Sequence, residues 1–145
     1  MHGVEASARA YLPYGIWART TVAYARGDRP NPFATPGSSE PERLPMSRVP
    51  PLNGTAELGW RADFGVYASG ALRWALLQDR LAPQDVADPR IPLGGTPGYT
   101  VFDLRAGYRL DPYVAFSAVL QNLGDTAWRA HGSSVNGPGR SVLLE

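Results

Sequence analysis

Apolar and polar residues alternate with a period of two along most of this chain. In AELGWRADF, Ala56, Leu58, Trp60, Ala62 and Phe64 alternate with Glu57, Gly59, Arg61 and Asp63. In FDLRAGYRL, Phe102, Leu104, Ala106, Tyr108 and Leu110 alternate with Asp103, Arg105, Gly107 and Arg109. Such alternation predicts strands with one apolar and one polar face; a helix would spread the same charges around its circumference. Weaker versions recur upstream. Val4, Ala6, Ala8, Ala10 and Leu12 oppose Glu5, Ser7, Arg9 and Tyr11, and Ile16, Ala18, Val22 and Tyr24 oppose Trp17, Arg19 and Thr21. The pattern predicts six strands, at about residues 4–12, 16–26, 56–64, 66–78, 102–110 and 113–123, and the start of a seventh from about Gly139 to Glu145.

The connections alternate between short and long. PYG (13–15), FG (64–65) and DP (111–112) read as tight antiparallel turns. The segments 27–50, 79–98 and 125–138 read as long loops, well beyond the usual about 4–6 residues. All three fall at the same end of the meander. The strands are also long, close to the about 9–11 residues that a tilted membrane-spanning strand needs. Tyr11, Tyr14, Trp17, Trp60, Phe64, Tyr67, Tyr108 and Tyr113 gather beside the short turns, and Tyr24, Trp74, Tyr99, Phe102 and Trp128 near the long loops. Two aromatic girdles, short turns on one side and long loops on the other fit an outer-membrane barrel. The fold class predicted is all-β: an antiparallel up-and-down meander of six to seven long strands, part of a transmembrane barrel. Glu57, Arg61, Asp63, Asp103, Arg105 and Arg109 would then face a wet lumen, because a charge on the lipid face costs about 2–4 kcal/mol at mid-depth. A soluble lipocalin-like barrel or a β-sandwich also alternates, and stays open at this point.

Composition narrows the function classes. The chain has 145 residues and a formal net charge of +1, too small a field to direct it to nucleic acid. It has no cysteine, which excludes disulfides, a thiolate nucleophile and a cysteine metal site. All its basic side chains are arginine, a composition that fits a GC-rich coding sequence. Its 16 glycines and 14 prolines favour turns over long helices. No run of about 18 apolar residues marks a transmembrane helix. MHGVEASARAYL lacks the basic and apolar regions of a signal peptide, so the expectation is either a cytoplasmic protein or a chain whose original N-terminus lies further upstream.

Little in the chain suggests catalysis. GGTPG (94–98) lacks the Lys-Ser/Thr of a phosphate loop and reads as a turn. Asp79, Asp85 and Asp88 lack calcium-loop spacing and read as parts of a solvated loop. No pair of carboxylates is placed for acid–base work and no Ser–His–Asp context is present. The reading is no enzyme, no cofactor and no resident metal. Arg129 and His131, on the long-loop side, are the candidate contacts for an anionic chelate or a metal. Gly137, Gly139 and Arg140 read as structural, the glycines allowing a tight return of the chain and the arginine facing water at the membrane rim.

GTPGYTVFDLRAGYRL followed by LQNLGDTAWRAHGSSVNGPGR resembles the C-terminal strands of TonB-dependent outer-membrane receptors. In that family a Gly-Thr-Pro-Gly-Tyr stretch leads into Phe-Asp-Leu. The next strand ends in Asn-Leu, followed by a polar stretch with an aromatic residue and often His-Gly-Ser, and Pro-Gly-Arg opens the last strand. The matching positions include Gly98, Tyr99, Asp103, Asn122, Leu123, Gly137, Gly139 and Arg140. GVEASARAYLP and PMSRVPPLNGTAELGWR also look like strand openings of this family; Gly124-Asp125 departs from it, since an aromatic residue more often precedes the Asp.

The resemblance implies a Gram-negative outer-membrane location and uptake of a scarce nutrient. Ferric siderophores are the commonest cargo, with haem, cobalamin, other metal chelates and glycans as alternatives. It also implies a lumen plug and coupling to TonB through an N-terminal part that this sequence does not contain. Family barrels have about 22 strands, so residues 1–145 are expected to be a C-terminal barrel segment, not transport-competent alone, whose partners are lipid, the rest of barrel and plug, TonB and a metal chelate. The final stretch stops at Glu145 without the terminal aromatic usual in this family, and a chain cut at both ends is expected. A small soluble ligand-binding barrel and a small plug-free outer-membrane barrel are the alternatives.

Overall fold

Seven strands pair side by side in a computed structural model that describes residues 1–145. They are β1 (His2–Tyr11), β2 (Ile16–Arg26), β5 (Asn53–Arg61), β6 (Val66–Ala75), β7 (Tyr99–Arg109), β8 (Ala115–Gln121) and β9 (Ser141–Leu144), in that spatial order. Every neighbouring pair is antiparallel. The six predicted strands and the short seventh are all present, with ends shifted by a few residues. A small ladder of β3 (Asp28–Pro30) and β4 (Arg43–Pro45) stiffens the first long loop, and a single helical turn, α1 (Pro83–Val86), lies in the second. No helix is long and apolar enough to cross a membrane.

The tight turns follow from local chemistry. Between β1 and β2, Tyr14 and Gly15 both take positive φ (63° and 74°), the conformation a short hairpin of this twist needs. Gly15 is doubly constrained, because an added Cβ would strike the Arg61 carbonyl of the adjacent strand. Between β7 and β8 the Asp111 carboxylate accepts the N–H groups of Tyr113 and Val114, both at 2.7 Å, closing the turn from its own side chain.

Registration sorts the residues into two faces, since directly paired residues project to the same side. One row reads Ala10, Ala18, Leu58, Gly70, Leu104, Leu120 and Val142; the row beside it reads Arg9, Arg19, Glu57, Ala71, Asp103, Gln121 and Ser141. Only 16 of 145 residues are buried, and most of these lie in the loops, so the sheet has no core of its own. Its apolar face, including Leu58, Phe102, Leu104 and Phe116, stands open.

Two expectations are corrected by the register. Tyr11, Trp17, Tyr67 and Tyr99 lie on the polar face and therefore do not belong to girdles on the apolar one. Trp17 lies over Gly59 and Tyr67 over Gly107, the directly paired positions, where any Cβ would collide with the ring. Trp60, Tyr108 and Phe116 near the short turns, and Tyr24, Trp74 and Phe102 near the long loops, do share the apolar face. Asp63 sits in the β5–β6 turn, beyond the end of the strand.

Candidate functional site

The polar face carries two ion pairs that cross strands. Arg19 reaches Glu57 at 2.5 Å between β2 and β5, and Arg73 reaches Asp103 at 3.2 Å between β6 and β7. Asp103 also accepts the backbone N–H of Asn122 at 2.8 Å. Arg9 lies directly opposite Arg19 without a carboxylate of its own. This face is a wet, charged surface. The apolar face has two shallow grooves of about 650 Å³ each, over the small residues Ala8, Ala10, Ala18 and Ala56 and over Ala68, Gly70, Ala106 and Ala118. They offer no placed polar group for a specific ligand.

The three long connections gather at one end of the sheet into a joined cap. Asp85 is at its centre and is only 2 % exposed, where the sequence reading has a solvated loop residue. Its carboxylate accepts from the Ser47 hydroxyl, from the Arg48 N–H at 3.2 Å and from the Ala82 N–H at 3.1 Å. Burial pushes the Asp85 pKa up, yet these hydrogen bonds and the nearby His131 together hold it below the ordinary carboxylate value. Around it, Arg80 bonds the Gly27 carbonyl and the Asp28 carboxylate, and Arg29 donates to Gln84 at 2.8 Å. Asp88 is held between Arg48 and Arg90, and buried Gln78 donates to the Val49 carbonyl at 2.7 Å.

The third loop winds around Asn122, which is 1 % exposed and has positive φ (50°). Its side-chain amide donates to the carbonyls of Thr126 and Pro138 and accepts from the Thr126 N–H. The reversal at Asn122 breaks the strand alternation and leaves Leu123 beside Phe102 and Leu104 in the apolar groove. Trp128 then folds back over the polar face, 5.1 Å from the Tyr99 ring and with the Arg73 guanidinium 4.9 Å from its centroid. Gly137 is needed for a different reason from the one expected. Its φ is not positive, but an added Cβ would enter the Trp128 indole. Gly139 approaches the Asp125 carboxylate, which accepts the Arg140 N–H at 2.8 Å; the Arg140 side chain is exposed. Gly98 runs close against the backbone of Ala75 to Leu77.

Arg129 and His131 come together at a cavity of about 230 Å³ between this third loop and the other two, lined also by Asn53, Thr96 and Tyr99. His131 Nδ1 is 2.9 Å from Thr96 Oγ1. Burial lowers the His131 pKa below the ordinary imidazole value, against the opposing pull of Asp85. No cluster of three or more His, Cys, Asp or Glu side chains is placed to hold a metal ion.

The TonB dependent receptor-like, beta-barrel family matches residues 1–123. The chain belongs to this family. TonB-dependent receptors are ligand transporters of the Gram-negative outer membrane, not a family of enzymes. Among solved structures, the Copper transporter OprC is similar with a TM-score of 0.73 and 21% sequence identity, over 95% of this chain and 22% of that one. At that identity the likeness shows the shared fold alone, and the chain spans about a fifth of OprC's length. No curated protein matches the sequence. Set in a TonB-dependent receptor barrel, the apolar face is the lipid side, since its one charge, Arg26, lies at the loop end of β2 and not at mid-strand. β1 and β9 each pair on one side only.

Sequence reasoning missed Asp85, Gln78 and Thr96. Each is a polar residue in a long loop, and nothing local distinguishes it from its solvated neighbours.

Proposed function

We propose that these residues form a section of the barrel wall of an outer-membrane receptor that takes up a metal-containing cargo with TonB coupling. The plug, the TonB-contacting segment and the remaining strands belong to other parts of that receptor. The carrying observation is the register: apart from Arg26 at the loop end of β2, the charges from β1 to β7 fall on one face, while the other face is predominantly apolar across all seven strands. In lipid a barrel section needs this segregation, and a soluble module would instead bury its apolar face. The long-loop cap stands at the outer end and the tight turns at the periplasmic end, as the lengths of such connections run in outer-membrane barrels. Family membership supports ligand transport, and the copper transporter that shares the fold adds copper to the cargoes to be tested. A ferric siderophore and a copper species are both consistent with this reading.

The test is where the chain resides. Outer membranes separated on a density gradient should retain it through washes with salt and carbonate, and mild detergent should release it. Recovery as a folded monomer in the soluble fraction would sink the proposal. Cargo is then assigned by comparing uptake of labelled iron chelate and labelled copper with and without this segment in the receptor gene.

A further inference from the structure

The three loops of the cap are joined unequally. The first and second are tied through Asp85, Asp88, Arg80, Gln78 and the Arg29–Gln84 pair. The third meets the second through two weaker links, Thr96 to His131 at 2.9 Å and Arg129 Nη1 to the Arg90 carbonyl at 3.4 Å. The cavity lies where they part.

Its chemistry has a sign. Arg129 has no carboxylate partner; its Nε donates to Asn136 at 2.8 Å and its Nη2 has no protein acceptor. Thr96 brings a hydroxyl that it shares with His131 Nδ1, the Asn53 amide gives one N–H to the Pro51 carbonyl and keeps the other, and His131 has its Nε2 without a protein partner. The nearby carboxylates are already engaged: Asp85 by Ser47, Arg48 and Ala82, and Asp88 by Arg48 and Arg90. The cavity therefore offers an excess of donors and a guanidinium whose planar fork matches an oxyanion. At about 230 Å³ it falls below the about 300–1,000 Å³ of sites that enclose a whole ligand. It suits one group of a larger molecule.

We propose that this cavity binds a single oxyanionic group, a carboxylate or a phosphate, clamped between Arg129 on the third loop and donors of Thr96 on the second loop and Asn53 at the start of β5. Filling it draws the third loop onto the joined pair, so the anion acts as the missing link of the cap. The inference deepens the receptor reading and rests on it for the origin of the anion only: a carboxylate carried by a chelate, or a phosphate free or in a lipid headgroup.

The chain has two histidines, His2 and His131, which makes histidine modification an internally controlled test. The full chain in detergent micelles is treated with diethyl pyrocarbonate, with and without citrate or inorganic phosphate, and both sites are followed by mass spectrometry. Working in micelles separates this test from the question of cellular location, and no transport is required. Without anion, half-buried His131 should react more slowly than exposed His2. Saturating anion should slow His131 at least five-fold and leave His2 unchanged. Protection by citrate alone assigns the carboxylate source, and protection by phosphate alone the phosphate source. Arg129→Gln should abolish protection while His131 keeps its slow basal rate. Where that variant opens the cap and His131 reacts like His2, Arg129→Lys decides: partial protection supports the clamp, and none overturns it. Absent protection in the unmodified chain, full protection in Arg129→Gln, or a His131 as reactive as His2 from the outset each overturns the proposal.

Discussion

At the residue scale, the cap depends on one carboxylate. Asp85 is buried, and each of its oxygens accepts hydrogen bonds that tie two loops together. Replacing it with alanine strands the N–H groups of Arg48 and Ala82 and the Ser47 hydroxyl, at about 1–3 kcal/mol for each donor left buried and unpaired. Asp85→Ala should therefore free the loops while leaving the strands paired. Amide exchange should accelerate at least ten-fold over residues 46–49 and 82–88 and hardly change in β5 to β7. Acid should act in the same direction through two groups. The folded-state pKa of His131 is depressed, so the neutral ring favours the closed cap, and that contribution falls away as pH drops below the usual imidazole value of about 6.5. The folded-state pKa of Asp85 is also depressed, so its contribution is complete above about pH 3.9 and is lost as pH falls further. Exchange over the same amides, corrected for its intrinsic pH dependence, should rise in two steps, and His131→Gln should remove the first alone. None of this was legible locally. Asp85 and Ser47 are separated by 38 positions, and a loop aspartate with a distant partner looks the same in sequence as one in water.

At the element scale, the strands were legible because pairing imposes the period that the sequence displays. Leu104 and Arg105 are adjacent in β7, yet registration places them on opposite faces of the sheet. Leu104→Arg puts a cation on the apolar face near the middle of the strand, and should cost about 2–4 kcal/mol in a bilayer. Arg105→Ala, on the wet face and away from any ion pair, should stay within about 0.5 kcal/mol. Urea unfolding of the barrel in lipid vesicles separates the two, and equal costs would contradict the assignment of faces. The girdles were only partly legible. An aromatic residue near a turn resembles an interfacial anchor in sequence, but Trp17 and Tyr67 belong to the polar face by parity and fill the spaces above Gly59 and Gly107. The glycine signal was visible, but its partner becomes identifiable only once the register is known. The loop after β8 shows the same limit. Asn122, Asp125, Trp128 and Gly137 are conspicuous in sequence, whereas the way Asn122 ties Thr126 to Pro138 depends on the path of the folded chain.

At the scale of the whole molecule, strand parity limits what these residues do alone. Seven strands in an antiparallel up-and-down order leave β1 and β9 running in the same direction. Joining those two edges would create a parallel pair within an otherwise antiparallel wall, whereas single-chain bacterial barrels of this kind close with an even number of strands. An odd number of further strands is thus needed between the edges. The edges themselves are demanding in lipid, because each unpaired N–H or C=O costs several kcal/mol there. Cysteines introduced at Ala6 and Val142, one on each edge strand and both on the apolar face, test this directly in a chain that has no other cysteine. In micelles at low protein concentration, oxidation should give no disulfide within a single copy, while cysteines at Ala118 and Leu144, paired across β8 and β9, should cross-link readily as a control. An efficient Ala6–Val142 bridge within one copy would mean that the sheet closes on itself, and the barrel-wall reading would give way to a small free-standing barrel.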